Sequence, residues 1–251
     1  MIVKVYPDGE ALGRAAAAHG ARIIHDCIAA RGKARIVLST GASQFTLFQA
    51  FAGEKVDWGR VEAFHLDEYI GLPIEHKASF RKYLKERFVD VYRPGSMRYV
   101  NAAGDIDTEL ARLADDLMRE PIDLGFIGIG ENGHIAFNDP PADFEMEKPY
   151  HVVALNDACK AQQVREGWFD SIQSVPKTAI SMSVRGILQC RSIISCVPNA
   201  VKAQAVHDTL TSAVTPMVPA TKLREHGDVT VYLDAASAGL LSPALLASFS
   251  G

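Results

Sequence analysis

Short apolar runs alternate along this chain with longer stretches whose apolar residues recur every three or four positions. The second spacing is typical of one face of an α-helix, whereas an unbroken run of four to eight apolar residues is typical of a buried strand. The first helical stretch follows Asp8, which can cap a helix, and ends at Gly32, which can terminate one. Its apolar positions are Leu12, Ala16, Ile23, Ile24, Cys27 and Ile28.

The same pattern predicts the elements of the whole chain. Strands are predicted at "IVKVY", "RIVLS", "VEAFHL", "IDLGFIGIG", "HVVAL", "TAISMSV", "RSIISCV" and "DVTVYL". Helices are predicted from near residue 43 to about 51, after Ser79, over 105–119, and near 157–166, 200–211 and 235–248. Because strands alternate with helices, we predict an α/β fold of the Rossmann-like type. It is a single domain over 1–251, with a doubly wound, mainly parallel sheet and helices on both faces.

Composition and charge exclude several classes of partner. Of the 251 residues, 48% are hydrophobic and 22% charged, as in an ordinary globular protein. The net charge is −4 and no strongly basic segment occurs, so no nucleic-acid partner is expected. No apolar run approaches the roughly 20 residues that span a bilayer, and the N-terminal residues lack the apolar core of a secretory signal. We expect no membrane partner and a cytoplasmic location.

The four cysteines are scattered and form no C-x-x-C pair. A zinc cluster is therefore not expected, and buried reduced thiols are the simpler interpretation of Cys27, Cys159, Cys190 and Cys196. We predict no metal site and no cofactor.

The segment "LSTGASQFTLF" places small and hydroxyl-bearing residues directly after a strand. In a doubly wound sheet, ligands bind beyond the carboxyl ends of the strands. Gly41 permits a close backbone approach, and the hydroxyls together with free N–H groups at a helix start suit a phosphate. The segment lacks the G-K-[ST] ending of a P-loop. A capped turn without a ligand is the alternative.

The segment "FHLDEYIGLP" carries two adjacent carboxylates, Asp67 and Glu68, at a strand end. A carboxylate that the crevice partly desolvates can serve as a general base. A solvated acidic turn is the alternative. His65 and Asp67 could also suggest metal ligands, but no third or fourth ligand is evident.

The loop "GIGENGHIAFNDPP", residues 128–141, matches the G-x-G-x-x-G pattern of dinucleotide-binding proteins. That fingerprint requires a helix after the glycines, and the residues from Asn138 to Pro141 break the chain too early for one. The loop instead presents Asn132, His134, Asn138 and Asp139. An imidazole near a carboxylate can transfer protons at neutral pH, although a loop histidine can also be structural or simply exposed.

A fourth strand end, "IISCVPNAVKAQAVHD", places Lys202 in the first turn of a helix that Asn199 can cap. A cation there opposes the helix dipole by about 0.3–1 kcal/mol, and a bound dianion would reverse the sign of the effect. An ordinary exposed lysine is the alternative.

These motifs together resemble those of the glucosamine-6-phosphate deaminases, also called glucosamine-6-phosphate isomerases. The resemblance covers nearly the whole chain in the right order. It rests on Lys202 and on "STGAS" at 39–43, "FHLDEYIGLP" at 64–73, "SFRKYL" at 79–84, "GIGENGHIAFNDP" at 128–140 and "TAISMSV" at 178–184.

The resemblance implies a role for each motif. Asp67 is similar to the base that moves a proton between C2 and C1, and His134 to the group that opens the sugar ring, supported by Asn132 and Asp139. The implied phosphate site comprises Ser39, Thr40, Gly41, Ala42, Ser43 and Lys202. The implied reaction, part of amino-sugar catabolism, converts glucosamine 6-phosphate and water to fructose 6-phosphate and ammonia. The hexosamine 6-phosphate is the expected small-molecule partner, and a homo-oligomer remains open.

Three departures from the family pattern stand out. Many members have Asp in place of Asn132 and Glu in place of Asp139. The family often has a phosphate-contacting arginine just before two aromatic residues, where this chain has Glu166 and Gly167; Arg165 or Gln162 could substitute.

Other functions stay as alternatives. The 6-phosphogluconolactonases share the fold and a similar histidine loop, although they typically carry D-E-R where this chain has D-E-Y at 67–69. A deaminase acting on galactosamine 6-phosphate is another alternative. A non-catalytic sugar-phosphate sensor is less favoured, because it would need neither Asp67 nor His134.

Overall fold

The computed structural model describes residues 1–250 of the chain. Its ten strands are β1 (Ile2–Tyr6), β2 (Ala34–Leu38), β3 (Val61–His65), β4 (Asp67–Tyr69), β5 (Ser96–Arg98), β6 (Leu124–Phe126), β7 (Tyr150–Ala154), β8 (Thr178–Met182), β9 (Ser192–Val197) and β10 (Val229–Asp234). The α-helices are α1 (Gly9–Arg31), α2 (Phe45–Ala50), α3 (Phe80–Leu84), α4 (Asp90–Tyr92), α5 (Ile106–Met118), α6 (Asp157–Arg165), α7 (Val184–Leu188), α8 (Ala203–Thr211) and α9 (Pro243–Ala247).

The main sheet has seven strands in the order β1-β10-β9-β6-β2-β3-β5, and every pair in it is parallel. From β2 the chain proceeds outward to β3 and β5, whereas from β6 it proceeds the other way, to β9 and β10. The order therefore reverses between β2 and β6. A crevice opens at such a reversal, beyond the carboxyl ends of the strands. The predicted doubly wound, mainly parallel sheet is confirmed.

Helices cover both faces of this sheet, as predicted, so its inner strands are buried on both sides, whereas the edge strands β1 and β5 are partly exposed. All five residues of β2 are buried. Ile36 and Leu38 pack in a cluster with residues of α1 and α2, and Val37 packs in a second cluster with residues of α5, α7 and α8. This explains why the β2 sequence is a continuous apolar run and not an alternating one.

A second, three-stranded sheet has the order β4-β8-β7 and is antiparallel. The predicted strands "HVVAL" and "TAISMSV" exist but belong to this sheet and not to the parallel one. Asp67 also lies in it, as the first residue of β4: it follows the end of β3, as predicted, and the alternative of a solvated acidic turn is wrong. The backbone of Leu66 explains the change of sheet: its N–H donates to Leu38 of the main sheet, and its carbonyl accepts from Met182 of the small one.

Side-chain caps set several helix boundaries. Asp8 accepts from the N–H of Ala11, and Gly32 ends α1 in a left-handed conformation, with φ of 79°. Ser79 accepts from the N–H of Lys82 at the start of α3. These three predictions are confirmed.

The predicted helix over 235–248 is mostly wrong, because only Pro243–Ala247 is α-helical. The preceding residues form turns: Ser237 donates its backbone N–H to Asp234 Oδ1, and Asp234 donates its own N–H to Ser237 Oγ. Ser242 then caps the short helix by accepting from Leu245 N–H.

All four cysteines are free thiols, and three of them are buried while Cys27 is half-buried. Within residues 1–250, no helix combines the length and the apolar character that a bilayer crossing requires.

Candidate active site

A cavity of about 250 Å³ lies at the carboxyl edge of the main sheet. It collects residues from all four strand ends that the sequence singled out. Of the predicted site residues, Ser39, Thr40, Gly41, Ala42, Ser43, Asp67, His134 and Lys202 line it. Asn132 and Asp139 do not line the cavity. Asn132 instead accepts from the backbone N–H of His134, and Asp139 lies beside the His134 imidazole.

The segment 39–43 forms one wall directly after β2. Ser39 Oγ is buried and has no hydrogen-bond partner within the described part of the chain, an arrangement suited to a bound ligand atom. Gly41 has φ of 98°, a conformation that favours glycine. A 3₁₀ turn, Ala42–Gln44, leads into α2, which begins at Phe45, so the helix predicted to start near residue 43 is present and its first turn is 3₁₀. This wall therefore presents hydroxyl groups and loop backbone atoms to the cavity, and not the end of a long helix.

Lys202 comes from the connection between β9 and α8. It ends a 3₁₀ turn, Ala200–Lys202, so it lies just before α8 and not in its first turn. The predicted side-chain cap by Asn199 is wrong: Asn199 has φ of 81°, makes no cap, and donates its N–H to Asp234 Oδ2 at 2.9 Å. Burial lowers the pKa of Lys202, and the nearby carboxylates of Glu166 and Glu131 partly oppose this. A bound anion would compensate the desolvated ammonium.

Asp67 is only 5% exposed, and its Oδ1 has no hydrogen-bond partner in residues 1–250. Burial raises the pKa of this carboxyl well above its usual range, and the negative charge of Glu68 raises it further. A buried carboxyl whose pKa is raised is suited to accepting and returning a proton. Asp67 therefore has the environment of a proton-transfer group.

Glu68, its neighbour, is fully buried and serves the fold. Its carboxylate accepts from Ser79 Oγ at 2.9 Å and from the N–H groups of Phe80 and Arg81 at 3.2 and 2.8 Å, at the start of α3. Arg81 Nε also donates to it at 3.3 Å. Because alternate residues of a strand point to opposite faces, the two adjacent acids have different surroundings. The structure separates two carboxylates that the sequence could not distinguish.

His134 lies with its ring edge toward Asp139. The Nδ1 atom is 3.2 Å from Asp139 Oδ1, within ion-pair distance, although the angles are not those of a hydrogen bond. Asn132 supports both residues: its Oδ1 accepts from the backbone N–H of His134 at 3.2 Å, and its Nδ2 donates to Asp139 Oδ1 at 3.3 Å. The shorter Asp139 thus reaches the imidazole. With Nδ1 facing Asp139, Nε2 is the nitrogen left to exchange protons.

The glycines of the loop are needed for this geometry. A Cβ atom on Gly130 would lie 2.2 Å from Nε2 and Cε1 of His134, so the ring packs directly on the Gly130 backbone. Gly133 donates its N–H to the carbonyl of Gly130 and closes a tight turn. No helix follows, in agreement with the rejection of a dinucleotide site.

Asn138, which the sequence grouped with the cavity residues, is buried and anchors the loop. Its Nδ2 donates to the carbonyls of Ile135 and Met182 at 2.8 and 2.9 Å. It lines no part of the cavity.

Helix α6 and the residues after it supply a wall that the sequence did not predict in full. Gln162, Gln163, Glu166 and Trp168 line the cavity. Spacings of three and four along α6 were the available signal, but they do not reveal which face meets the site. Arg165 does not line the cavity and forms an ion pair with Glu131. Among residues 1–250, Lys202 is thus the one Lys or Arg side chain in the lining.

The position just before the two aromatics is Gly167, which has φ of 81°. This left-handed conformation ends α6 and is unfavourable for arginine. An arginine at position 167 would therefore be strained in this backbone.

No group of three or more His, Cys, Asp or Glu side chains within residues 1–250 is arranged to hold a metal ion. His65 is fully buried, and its Nδ1 accepts from the N–H of Val100.

Comparison with known proteins gives consistent matches. A family model described as glucosamine-6-phosphate isomerases/6-phosphogluconolactonase matches residues 7–232. A glucosamine-6-phosphate deaminase of Lactobacillus delbrueckii subsp. bulgaricus is 35% identical over 212 residues, which cover 84% of this chain and 88% of the relative. One of Bacillus thuringiensis is 32% identical over 228 residues, covering 90% and 85% respectively.

Solved structures agree with this fold. A monomeric glucosamine-6-phosphate deaminase superimposes with a TM-score of 0.84 at 30% identity, covering 96% of this chain and all of the other. A 6-phosphogluconolactonase from Shewanella baltica superimposes with a TM-score of 0.76 at 21% identity, covering 94% of this chain and 98% of its own, which shows the shared fold alone. From its sequence and its fold, the chain belongs to the family of glucosamine-6-phosphate isomerases and 6-phosphogluconolactonases.

Proposed function

We propose that this protein is a glucosamine-6-phosphate deaminase, which isomerises and deaminates glucosamine 6-phosphate to fructose 6-phosphate and ammonia in amino-sugar catabolism. The observation that carries the proposal is that Asp67, His134, Lys202 and the 39–43 segment line one cavity. The named relatives at 32–35% identity support the same activity.

The phosphate is proposed to bind between the 39–43 segment and Lys202. Ser39 Oγ is a buried hydroxyl without a partner in residues 1–250, and Lys202 is a desolvated ammonium. A phosphate dianion can accept hydrogen bonds from both groups. Its negative charge also compensates the Lys202 ammonium for the hydration that is lost on burial.

His134 is proposed to open the pyranose ring. Ring opening removes the proton of the anomeric hydroxyl and delivers one to the ring oxygen. An imidazole can do both, and Asp139, with its Oδ1 3.2 Å from Nδ1, orients the ring. Asn132 holds Asp139 and the His134 backbone in place.

Asp67 is proposed to move the proton from C2 to C1. The open-chain aldehyde with a 2-ammonium group loses the C2 proton to Asp67, which returns it to C1. A second proton passes from nitrogen to O1, so the product is the isomeric protonated imine. Water adds to that imine and releases fructose 6-phosphate and ammonium. The raised pKa of Asp67 brings proton removal and proton return closer in energy.

Ammonia release from glucosamine 6-phosphate tests the proposal. We expect turnover by the wild type and a loss of about 10²- to 10⁴-fold in kcat for Asp67→Asn, because the amide cannot accept the C2 proton. Asp170→Asn is a matched control, since Asp170 is exposed and lies outside the cavity lining. Ammonia release by neither enzyme, or equal rates for Asp67→Asn and wild type, would contradict the proposal.

Galactosamine 6-phosphate and 6-phosphogluconolactone, assayed beside glucosamine 6-phosphate, separate the alternatives. The highest kcat/KM identifies the substrate, and we expect it for glucosamine 6-phosphate.

A further inference from the structure

Tyr83 reaches from α3 to the 39–43 segment. Its hydroxyl donates to the carbonyl of Gly41 at 2.8 Å. Gly41 lines both the main cavity and a small pocket beside it, whereas Tyr83 lines only the small pocket. Tyr83 therefore lies behind the proposed phosphate segment, on the side away from the main cavity.

Packing fixes the position of this hydroxyl. Only 6% of Tyr83 is exposed, and its ring is stacked on that of Phe45 with the centroids 5.6 Å apart. The Arg87 guanidinium lies over both rings, 4.2 Å from the Phe45 centroid and 5.3 Å from that of Tyr83. Burial raises the pKa of Tyr83, so the hydroxyl keeps its proton and remains a donor.

The carbonyl of Gly41 accepts from the Tyr83 hydroxyl and, at 3.1 Å, from the N–H of Gln44. Neither donor residue lines the main cavity, so this oxygen is turned away from it. The Gly41–Ala42 peptide bond is trans, and the carbonyl and N–H of a trans peptide point in opposite directions. The N–H of Ala42 is thus turned toward the cavity, and it meets no acceptor within residues 1–250. It is available to donate to a phosphate oxygen.

Glycine at position 41 makes this peptide orientation easy to lose. Gly41 has φ of 98° and ψ of 169°, a region that is essentially restricted to glycine, and glycine can also adopt other orientations with little strain. Rotation of the Gly41–Ala42 peptide would turn the carbonyl oxygen toward the cavity, where it would repel a phosphate dianion. A hydrogen bond to that carbonyl from outside the cavity opposes the rotation.

We propose that Tyr83 is a positioning residue: by holding the Gly41 carbonyl, it keeps the Ala42 N–H directed at the substrate phosphate. This inference rests on the proposed function, because that function supplies the phosphate. The hydrogen bond of Tyr83 is to the phosphate segment, so its loss should weaken binding more than it slows proton transfer at Asp67 and His134.

A pair of tyrosine variants tests this role. Tyr83→Phe removes the hydroxyl and keeps the stacked ring. Tyr92→Phe is the matched control, because the Tyr92 hydroxyl also donates to a backbone carbonyl, that of Phe48 in α2. Tyr92 packs in the same apolar cluster as Tyr83 but lines neither the main cavity nor the small pocket. The dissociation constant of inorganic phosphate is measured by titration for wild type and both variants, together with Tm and with kcat and KM for glucosamine 6-phosphate.

We expect Tyr83→Phe to raise the dissociation constant of inorganic phosphate and KM about three- to tenfold, with a smaller effect on kcat, because a hydrogen bond to the phosphate loses its orientation. Tyr92→Phe should keep the wild-type value of both constants, whatever its Tm. An unchanged dissociation constant in Tyr83→Phe, or an equal rise in Tyr92→Phe, would overturn the inference. Phosphate binding needs no turnover, so absence of ammonia release from glucosamine 6-phosphate would overturn the proposed function separately.

Discussion

Replacing Asp67 by asparagine should lower kcat by about 10²- to 10⁴-fold and at the same time stabilise the fold. Asp67 is 5% exposed, and burial followed by the Glu68 charge raises its pKa well above the usual range. Folding then favours the protonated carboxyl. Its contribution to stability is fully present below the unfolded-state pKa and is lost as the pH rises through the raised pKa. Above that pH, the native state holds an unfavourable buried charge.

The magnitude follows from linkage. Each unit by which a pKa is raised corresponds to about 1.4 kcal/mol of unfolding free energy once the group is ionised. In a chain of this size, 1 kcal/mol shifts Tm by about 2–4 °C. The amide introduced by Asp67→Asn carries no charge, so we expect Tm to rise by at least that amount at pH 8, and the rise to shrink as the pH falls toward 4.

Thermal unfolding of wild type, Asp67→Asn and Asp170→Asn across pH 4–8 is the assay. Asp170 is exposed, so its variant should follow the wild type at every pH. A Tm for Asp67→Asn that is unchanged at pH 8, or a difference that does not vary with pH, would refute the reasoning. Asp67 would then not be a buried group whose ionisation the fold opposes.

Three further substitutions test the site. His134→Gln should lower kcat/KM much more for glucosamine 6-phosphate than for its 4,5-dideoxy analogue, which has no hydroxyl group that can close a furanose or pyranose ring and so needs no ring opening; equal losses would show that His134 does not act in ring opening. Gly130→Ala should lower kcat about 10²-fold with a smaller effect on KM, because a Cβ 2.2 Å from the imidazole displaces the ring; an unchanged kcat would show that ring position does not matter. Lys202→Gln should raise KM about tenfold or more through loss of a charged contact to phosphate; an unchanged KM and an unchanged inhibition constant for inorganic phosphate would contradict that contact.

The sequence predicted well those features that depend on one strand and the residues after it. The 39–43 segment and Lys202 both directly follow buried apolar runs, and parallel strands bring their carboxyl ends to one edge. Their convergence on one cavity follows from that topology.

Features that depend on pairing between distant segments were not predictable. Asp67 and Glu68 lie in a three-residue strand whose partner is β8, over a hundred residues later. Without that pairing, no local pattern shows that Glu68 faces α3 while Asp67 faces the cavity.

The cavity wall formed by Gln163, Glu166 and Trp168 could not be predicted from the sequence for the same reason. α6 is recognisable from its sequence, but the face it turns to the cavity is set by packing against the small sheet. The signal for the chain reversal after α6 was Gly167, and its φ of 81° is what returns Trp168 to Glu166.

The central claim is that Asp67 and His134 act on one hexosamine whose phosphate lies between the 39–43 segment and Lys202. A crystal structure with 2-amino-2-deoxyglucitol 6-phosphate tests it most directly. We expect the phosphate against Ser39 and Lys202, with C1 and C2 beside the Asp67 carboxyl and His134 at the anomeric end. A phosphate bound elsewhere, or a sugar chain out of reach of either side chain, would contradict the claim.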